Sequence, residues 1–152
     1  LVTNVCTLFA GQRIMISGEP VIAKLDAAQM EQVLINLLKN AVEANEGSAA
    51  IETRGDRSID ISWHCADDQL MLLISDSGNG LASKENLFTP FYTTKSKGSG
   101  IGLSLCRQIV EAHGGQLVLE NREDRPGCTV SIVLPLLKEE YTSKEFSLDK
   151  FL

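Results

Sequence analysis

Asn36 and Asn40 stand four residues apart in a segment whose apolar residues recur at helical spacing. Their two amides therefore leave the same side of a helix, one turn apart. Val33, Leu37 and Ala41 make that side otherwise apolar, and amides in such surroundings need partners. Two kinds of partner fit: backbone groups, as for a buried structural Asn, or a ligand that both amides share. Amide oxygens are hard ligands of the kind Mg²⁺ accepts, with phosphates supplying the countercharge.

Two glycine-rich segments lie further along the chain. Asp76-Ser77-Gly78-Asn79-Gly80 follows an apolar strand pattern directly. Glycines there permit close backbone approach, and a carboxylate at a strand end can accept a hydrogen bond from an amino group; an ordinary turn is the other reading. Gly98-Ser99-Gly100-Ile101-Gly102-Leu103 opens a helical pattern, and a glycine-rich helix entry offers free amides and a positive dipole end to phosphate. It is neither a Walker loop, since Gly-Lys-Ser/Thr is missing, nor a dinucleotide fingerprint, since a long polar loop rather than a strand leads into it.

The elements that must position these groups follow from periodicity and punctuation. Leu1 to Ala10 reads as the end of a helix leading in. Gln12 to Ser17 alternates like a strand, Glu19-Pro20 breaks it, and Val21 to Ala23 reads as a second short strand. Asp26 is placed as the N-cap of a helix from about Ala27 to Asn45, with Met30, Val33, Leu34, Leu37, Leu38, Ala41 and Val42 on one face. Ile59 to His64 and Leu70 to Ser75 form a hairpin about Asp67-Asp68. Leu81 to Gly100 is an irregular loop. Ile101 to His113 is a second helix capped by Gly114-Gly115. Gln116 to Asn121 and Cys128 to Leu134 are strands around Arg125-Pro126-Gly127, and Leu136 to Leu152 is a charged tail. The sum is an α/β (α+β) two-layer sandwich, a mixed and mostly antiparallel sheet with helices on one face.

Bulk properties narrow the function. The 152 residues suit one domain. The net charge of −6 excludes a basic nucleic-acid footprint, but not a nucleotide whose phosphates are met by backbone amides and a metal ion. Cys6, Cys65, Cys106 and Cys128 are scattered without C-x-x-C spacing and read as reduced apolar fillers. No apolar run spans a bilayer, and Leu1 to Ala10 has no basic n-region of a signal peptide.

Taken in order, the motifs resemble those of the histidine kinase branch of the gyrase and heat-shock-chaperone ATPase superfamily. Gln32 to Ala41 is similar to the N box, Asp76 to Gly80 to the G1 box, Leu87 to Lys95 with its Phe88-Thr89-Pro90-Phe91 to the F box, and Gly98 to Leu103 to the G2 box. The resemblance covers Val21 to Pro135 and implies the Bergerat ATP-binding fold, with ATP and Mg²⁺ as ligands. It implies that Asn40 ligates Mg²⁺ with Asn36 beside it, and that Asp76 accepts from the adenine amino group. By the same resemblance Gly78 and Gly80 give the base and ribose room, and Thr129 sits near Asp76 and adenine. Gly100 and Gly102 let amides reach the phosphates, with Leu103 following. The stretch Phe88 to Lys97 is implied to be a lid anchored by Phe88 and Phe91, in which Thr94, Lys95 and Lys97 face the nucleotide and Lys95 or Lys97 reaches the terminal phosphates. The other reading of each Lys is a solvated surface charge.

Hydrolases of the superfamily carry a Glu where this chain has Asn36, which cannot act as a base; Glu31 reads as a solvated helix charge. The resemblance therefore implies phosphoryl transfer to a histidine rather than hydrolysis. Neither His64, in Trp63-His64-Cys65, nor His113, before the Gly-Gly cap, has the acidic neighbour of the family's acceptor. The acceptor is expected on a dimerisation hairpin preceding Leu1. Residues 1–20 would lead in from it, 21–137 would be the catalytic domain and 138–152 the tail. Partners implied are that dimerisation and phosphotransfer domain of the same protein and a response regulator receiver domain, with no nucleic acid and no membrane contact from this domain. The resemblance implies a cytoplasmic location, whether or not the full-length protein is anchored in the inner membrane. Ala41-Val42-Glu43-Ala44 lacks the basic residue that many members carry after the metal Asn, and Thr93-Thr94-Lys95 is closer to kinases of the nitrogen-regulation type. The alternatives are an anti-sigma-factor-type serine kinase, whose family generally lacks the F box, an ATPase of the gyrase or mismatch-repair kind, and a non-catalytic nucleotide-binding module.

Overall fold

The computed structural model describes residues 1–46, 57–83, 85–90 and 100–136. Among them are three helices, α1 (Val2–Thr7), α2 (Ala27–Glu46) and α3 (Gly102–Ala112), and five strands: β1 (Ile14–Ser17), β2 (Ile59–Ala66), β3 (Gln69–Ser75), β4 (Gln116–Asn121) and β5 (Cys128–Pro135). The strands form one sheet in the order β1-β2-β3-β5-β4. β1 pairs with β2 in parallel, from Ile14 opposite Ile59, and every other pairing is antiparallel. This is the mixed, mostly antiparallel sheet that the sequence predicts.

Strand alternation decides which face is covered. Ile59 and Ile61 of β2, Leu70, Leu72 and Ile74 of β3, Leu117 and Leu119 of β4, and Cys128, Val130, Ile132 and Leu134 of β5 are all buried. They meet Met30, Val33, Leu34, Leu37, Leu38 and Ala41 of α2 and Cys106, Ile109 and Val110 of α3 in one core. Truncating a side chain such as Leu37 or Ile132 in such a core costs about 2–5 kcal/mol.

The helix limits follow from local chemistry. Asp26 caps α2 as expected, its Oδ1 accepting the Gln29 N–H at 3.0 Å. α3 ends in a Schellman motif: Gly115 N–H donates to Val110 C=O and Gly114 N–H to Glu111 C=O, both at 2.9 Å. Between β2 and β3, Asp67 and Asp68 have φ of 51° and 59°, the left-handed pair that a tight two-residue hairpin requires. One expectation fails. Val21 to Ala23 forms no strand; it follows Pro20, which has no N–H to donate, and Ile22 is 98% exposed, so no neighbouring strand rewards an extended pairing there. The charged tail lies outside the described residues beyond Leu136.

Candidate functional site

α2 carries Asn36 and Asn40 at the border of its buried stripe, both half-buried, while their neighbours Val33, Leu37 and Ala41 turn into the core. Asn36 faces the start of α3. Its Oδ1 lies 4.0 Å from where a Cβ on Gly102 would stand, and its side chain lies near the buried Cys106 thiol. Asn36 and Gly102, 66 residues apart in sequence, are thus brought side by side. Gly100 has φ of 67°, and Leu103, one residue into α3, packs against the core.

Asp76 extends β3 by one residue. Its N–H donates to Cys128 C=O at 2.9 Å, continuing the ladder beyond the Ser75–Thr129 pair. Its side chain is on the helix side of the sheet and only 7% of the residue is exposed. Oδ1 accepts two backbone N–H groups, Gly78 at 2.9 Å and Cys128 at 3.1 Å. Oδ2 has no hydrogen-bond partner among the described residues. Burial pushes the carboxyl above the usual Asp range, and the two N–H donors and the nearby Arg122 charge oppose that push. Burial, with the Asp76 charge adding to it, raises the neighbouring Cys128 thiol to about 12.

The loop after Asp76 is pressed against the last turns of α2. A Cβ on Gly78 would stand 2.8 Å from Ala44 C=O, closer than packed atoms approach, so only glycine fits. Asn45, buried in that turn, holds the loop: its Oδ1 accepts Ser77 N–H at 2.9 Å and its Nδ2 donates to Arg57 C=O at 3.1 Å. Gly80 has φ of 79°, and Asn121 binds both the N–H and the C=O of the next residue, Leu81.

Thr129 is not beside Asp76. In β5 the residues alternate between faces; Cys128 and Val130 are buried and Thr129 points to the other side, where its hydroxyl meets Ser75 Oγ at 2.8 Å. The β5 residue that touches the Asp76 carboxylate is Cys128, through its backbone N–H. The one-residue slip matters because it exchanges the two faces of a strand. Phe88 is half-buried beneath the Arg107 guanidinium, 4.8 Å from its ring centroid. Phe91, Thr94, Lys95 and Lys97 lie outside the described residues. His64 is exposed in β2, and His113 is tied into the backbone of both long helices.

Asn45, Cys128, Gly127 and Arg122 escape sequence reasoning. Asn45 is an ordinary helix-end residue until its contacts are seen. For Cys128 the signal was available in the strict alternation of β5.

Residues 25–138 match the family described as "Histidine kinase-, DNA gyrase B-, and HSP90-like ATPase". The chain belongs to that family. Its relatives are sensor histidine kinases. Sensor protein FixL of Bradyrhizobium diazoefficiens is 39% identical over 116 residues, 75% of this chain and 22% of that protein. Nitrogen regulation protein NtrY of Azorhizobium caulinodans is 35% identical over 114 residues, 74% of this chain and 15% of that one. This chain thus spans about a fifth of the length of the curated relatives it matches. Among solved structures, the nucleotide-free catalytic domain of histidine kinase ThkA superposes with a TM-score of 0.73 at 31% identity, covering 89% of this chain and 90% of that one. Among the described residues no helix is long and apolar enough to cross a membrane.

Proposed function

We propose that this chain is the ATP-binding catalytic domain of a two-component sensor histidine kinase, with its catalytic unit at residues 21–137. The observation that carries the reading is the Asp76 carboxylate: buried, fixed through Oδ1 by two backbone donors, with Oδ2 unpartnered among the described residues and open to a ligand donor. An exocyclic amino group of adenine suits it, with Gly78 and Gly80 leaving space for base and ribose. The residues present also fit a Mg²⁺-bound triphosphate. Asn40 and Asn36 supply neutral oxygen donors from one side of α2, and Gly100 and Gly102 bring the free amides of the α3 N-terminus alongside. Bound there, Mg²⁺ would draw charge from the phosphate oxygens. The family resemblance adds Thr94, Lys95 and Lys97 to this reading as further nucleotide contacts.

Asn36 has no proton-accepting nitrogen, and no carboxylate occupies its place, so water near the γ-phosphate goes unactivated. Phosphoryl transfer needs alignment and charge neutralisation: an imidazole nitrogen attacks the γ-phosphorus, the bond to the β–γ bridging oxygen breaks, and ADP leaves. The imidazole belongs to a dimerisation domain of the full-length protein, and a response regulator receiver domain takes the phosphoryl group onward. The chain works on the cytoplasmic side, where ATP is present. Incubating it with Mg·ATP and a histidine-bearing dimerisation domain tests this. Acid-labile phosphate on the added domain is the expected result; steady phosphate release without it would favour a hydrolase.

A further inference from the structure

The turn between β4 and β5 closes over the backbone of Asp76. Gly127 sits so near that a Cβ would fall within 2.2 Å of Asp76 C=O and 2.9 Å of Arg122 Cδ, and Arg122 N–H donates to Gly127 C=O at 3.0 Å. Arg122 Nη1 donates to the same Asp76 carbonyl at 3.3 Å. The rest of its guanidinium is held in place: Nε and Nη2 grip the two oxygens of Asp124 at 3.1 and 3.2 Å, and Asp60 Oδ2 lies 3.6 Å from Nη1. Asp60 is itself held by Arg125 Nη2 at 3.0 Å. Only 13% of the Arg122 side chain is exposed.

We infer that Arg122 is a positioning residue for base recognition: it fixes the main chain of Asp76 from behind and places a positive charge where it favours the ionised, accepting carboxylate. This rests on the reading of Asp76 as the adenine contact. Lysine cannot reproduce the contact set, because a carbonyl and two carboxylates are met by one planar fork.

Among the described residues, the charged groups around Asp76 are few. β5 presents the Cys128 thiol, the β4–β5 turn presents Arg122 with Asp124 and Arg125, and β2 presents Asp60. α2 meets the loop with Ala44 and Asn45, while Glu43 and Glu46 face solvent. Arg122 is the cation that opposes the burial of Asp76. Without it the carboxyl holds its proton to higher pH, and the protonated form is the poorer acceptor.

The test is ADP affinity of the full chain against pH, by calorimetry. Arg122→Met should weaken ADP binding roughly tenfold near neutrality and move the acid limb of the profile to higher pH. Arg122→Gln keeps an N–H donor on the side chain but removes the charge; it should move the limb likewise, and Arg122→Lys, which keeps the charge without the fork, should return it. A wild-type limb in folded Arg122→Met overturns the inference, and the same result in Arg122→Gln does so if Arg122→Met fails to fold. Asp76→Asn, run in parallel, separates the two levels. Undiminished ADP affinity in that variant removes the base-reading role itself, whereas lost affinity there beside an unmoved limb in the Arg122 variants removes only the role of Arg122.

Discussion

The backbone N–H of Asp26 donates to His113 Nε2 at 3.1 Å, across 87 positions of sequence, while His113 Nδ1 is bonded to Ile109 C=O at 2.7 Å. One imidazole thereby joins the first residue before α2 to the last turn of α3. The helices it ties together carry Asn36 and Gly102.

His113→Phe should therefore destabilise the domain by about 0.5–1.5 kcal/mol, read as a lower urea midpoint at unchanged slope. With both ring nitrogens occupied, His113 should also take no phosphoryl group when the chain is incubated with Mg·ATP. Acid-labile label on a peptide containing His113 would contradict this.

Asp76→Asn separates binding from stability. The Asn oxygen can keep the Gly78 and Cys128 N–H bonds, but the second position becomes an NH₂ that opposes an amino group. ADP affinity should fall by roughly 10- to 100-fold. Stability moves the other way. The folded-state pKa of Asp76 is raised, so its contribution to stability is present at acid pH and lost as pH rises through that raised value. At pH 7 the nucleotide-free Asn variant should melt at or above the wild-type temperature in calorimetry. A lower melting temperature would mean that burial does not govern this carboxylate.

Gly78→Ala should cost about 1–3 kcal/mol or more, because the obstacle at 2.8 Å is the backbone of Ala44 and cannot rotate away. Gly11→Ala, where nothing lies within 4 Å, is the matched control and should leave the denaturation midpoint within about 0.5 kcal/mol of wild type. Equal effects at both positions would refute the packing argument.

Asn40→Ala should reduce the gain in ATP affinity that Mg²⁺ brings. Calorimetric titrations with Mg²⁺ and with EDTA give that ratio directly, and a ratio equal to that of the wild type would exclude Asn40 as a ligand.

Thr129→Val should leave ADP affinity within about twofold of wild type, since its hydroxyl is spent on Ser75 across the sheet, and should cost about 1 kcal/mol of stability. A large loss of affinity would restore Thr129 to the nucleotide side.

How much of this was legible in the sequence depended on the range of the interactions. α2 and α3 were readable because their stripes and caps are local: Asp26, the buried face from Met30 to Ala41, and Gly114-Gly115 need nothing beyond their own helix. The β2–β3 hairpin was readable from Asp67-Asp68 for the same reason. The parallel pairing of Ile14 with Ile59 was not, because no local pattern specifies a partner 45 residues away. The motif order singles out Asp76, Asn36 and Gly102; the fold sets Asn36 beside Gly102 and the loop after Asp76 against the last turns of α2. The error at Thr129 came from matching a motif without carrying the strand's alternation through to the end. Asn45 and Arg122 stayed hidden because the groups they bind, Ser77 N–H and Asp76 C=O, are backbone atoms with no sequence signature.

Asp76 continues β3, the middle strand of five, which is bonded along both edges by β2 and β5. Freeing its main chain means breaking the sheet rather than unlatching a loop, so the wall proposed to meet the base should hold its shape through every cycle of nucleotide exchange. Amide exchange at Ile74 and Asp76 should then be as slow in the empty protein as in the loaded one, and small molecules competing for that wall would meet a finished mould instead of having to shape it.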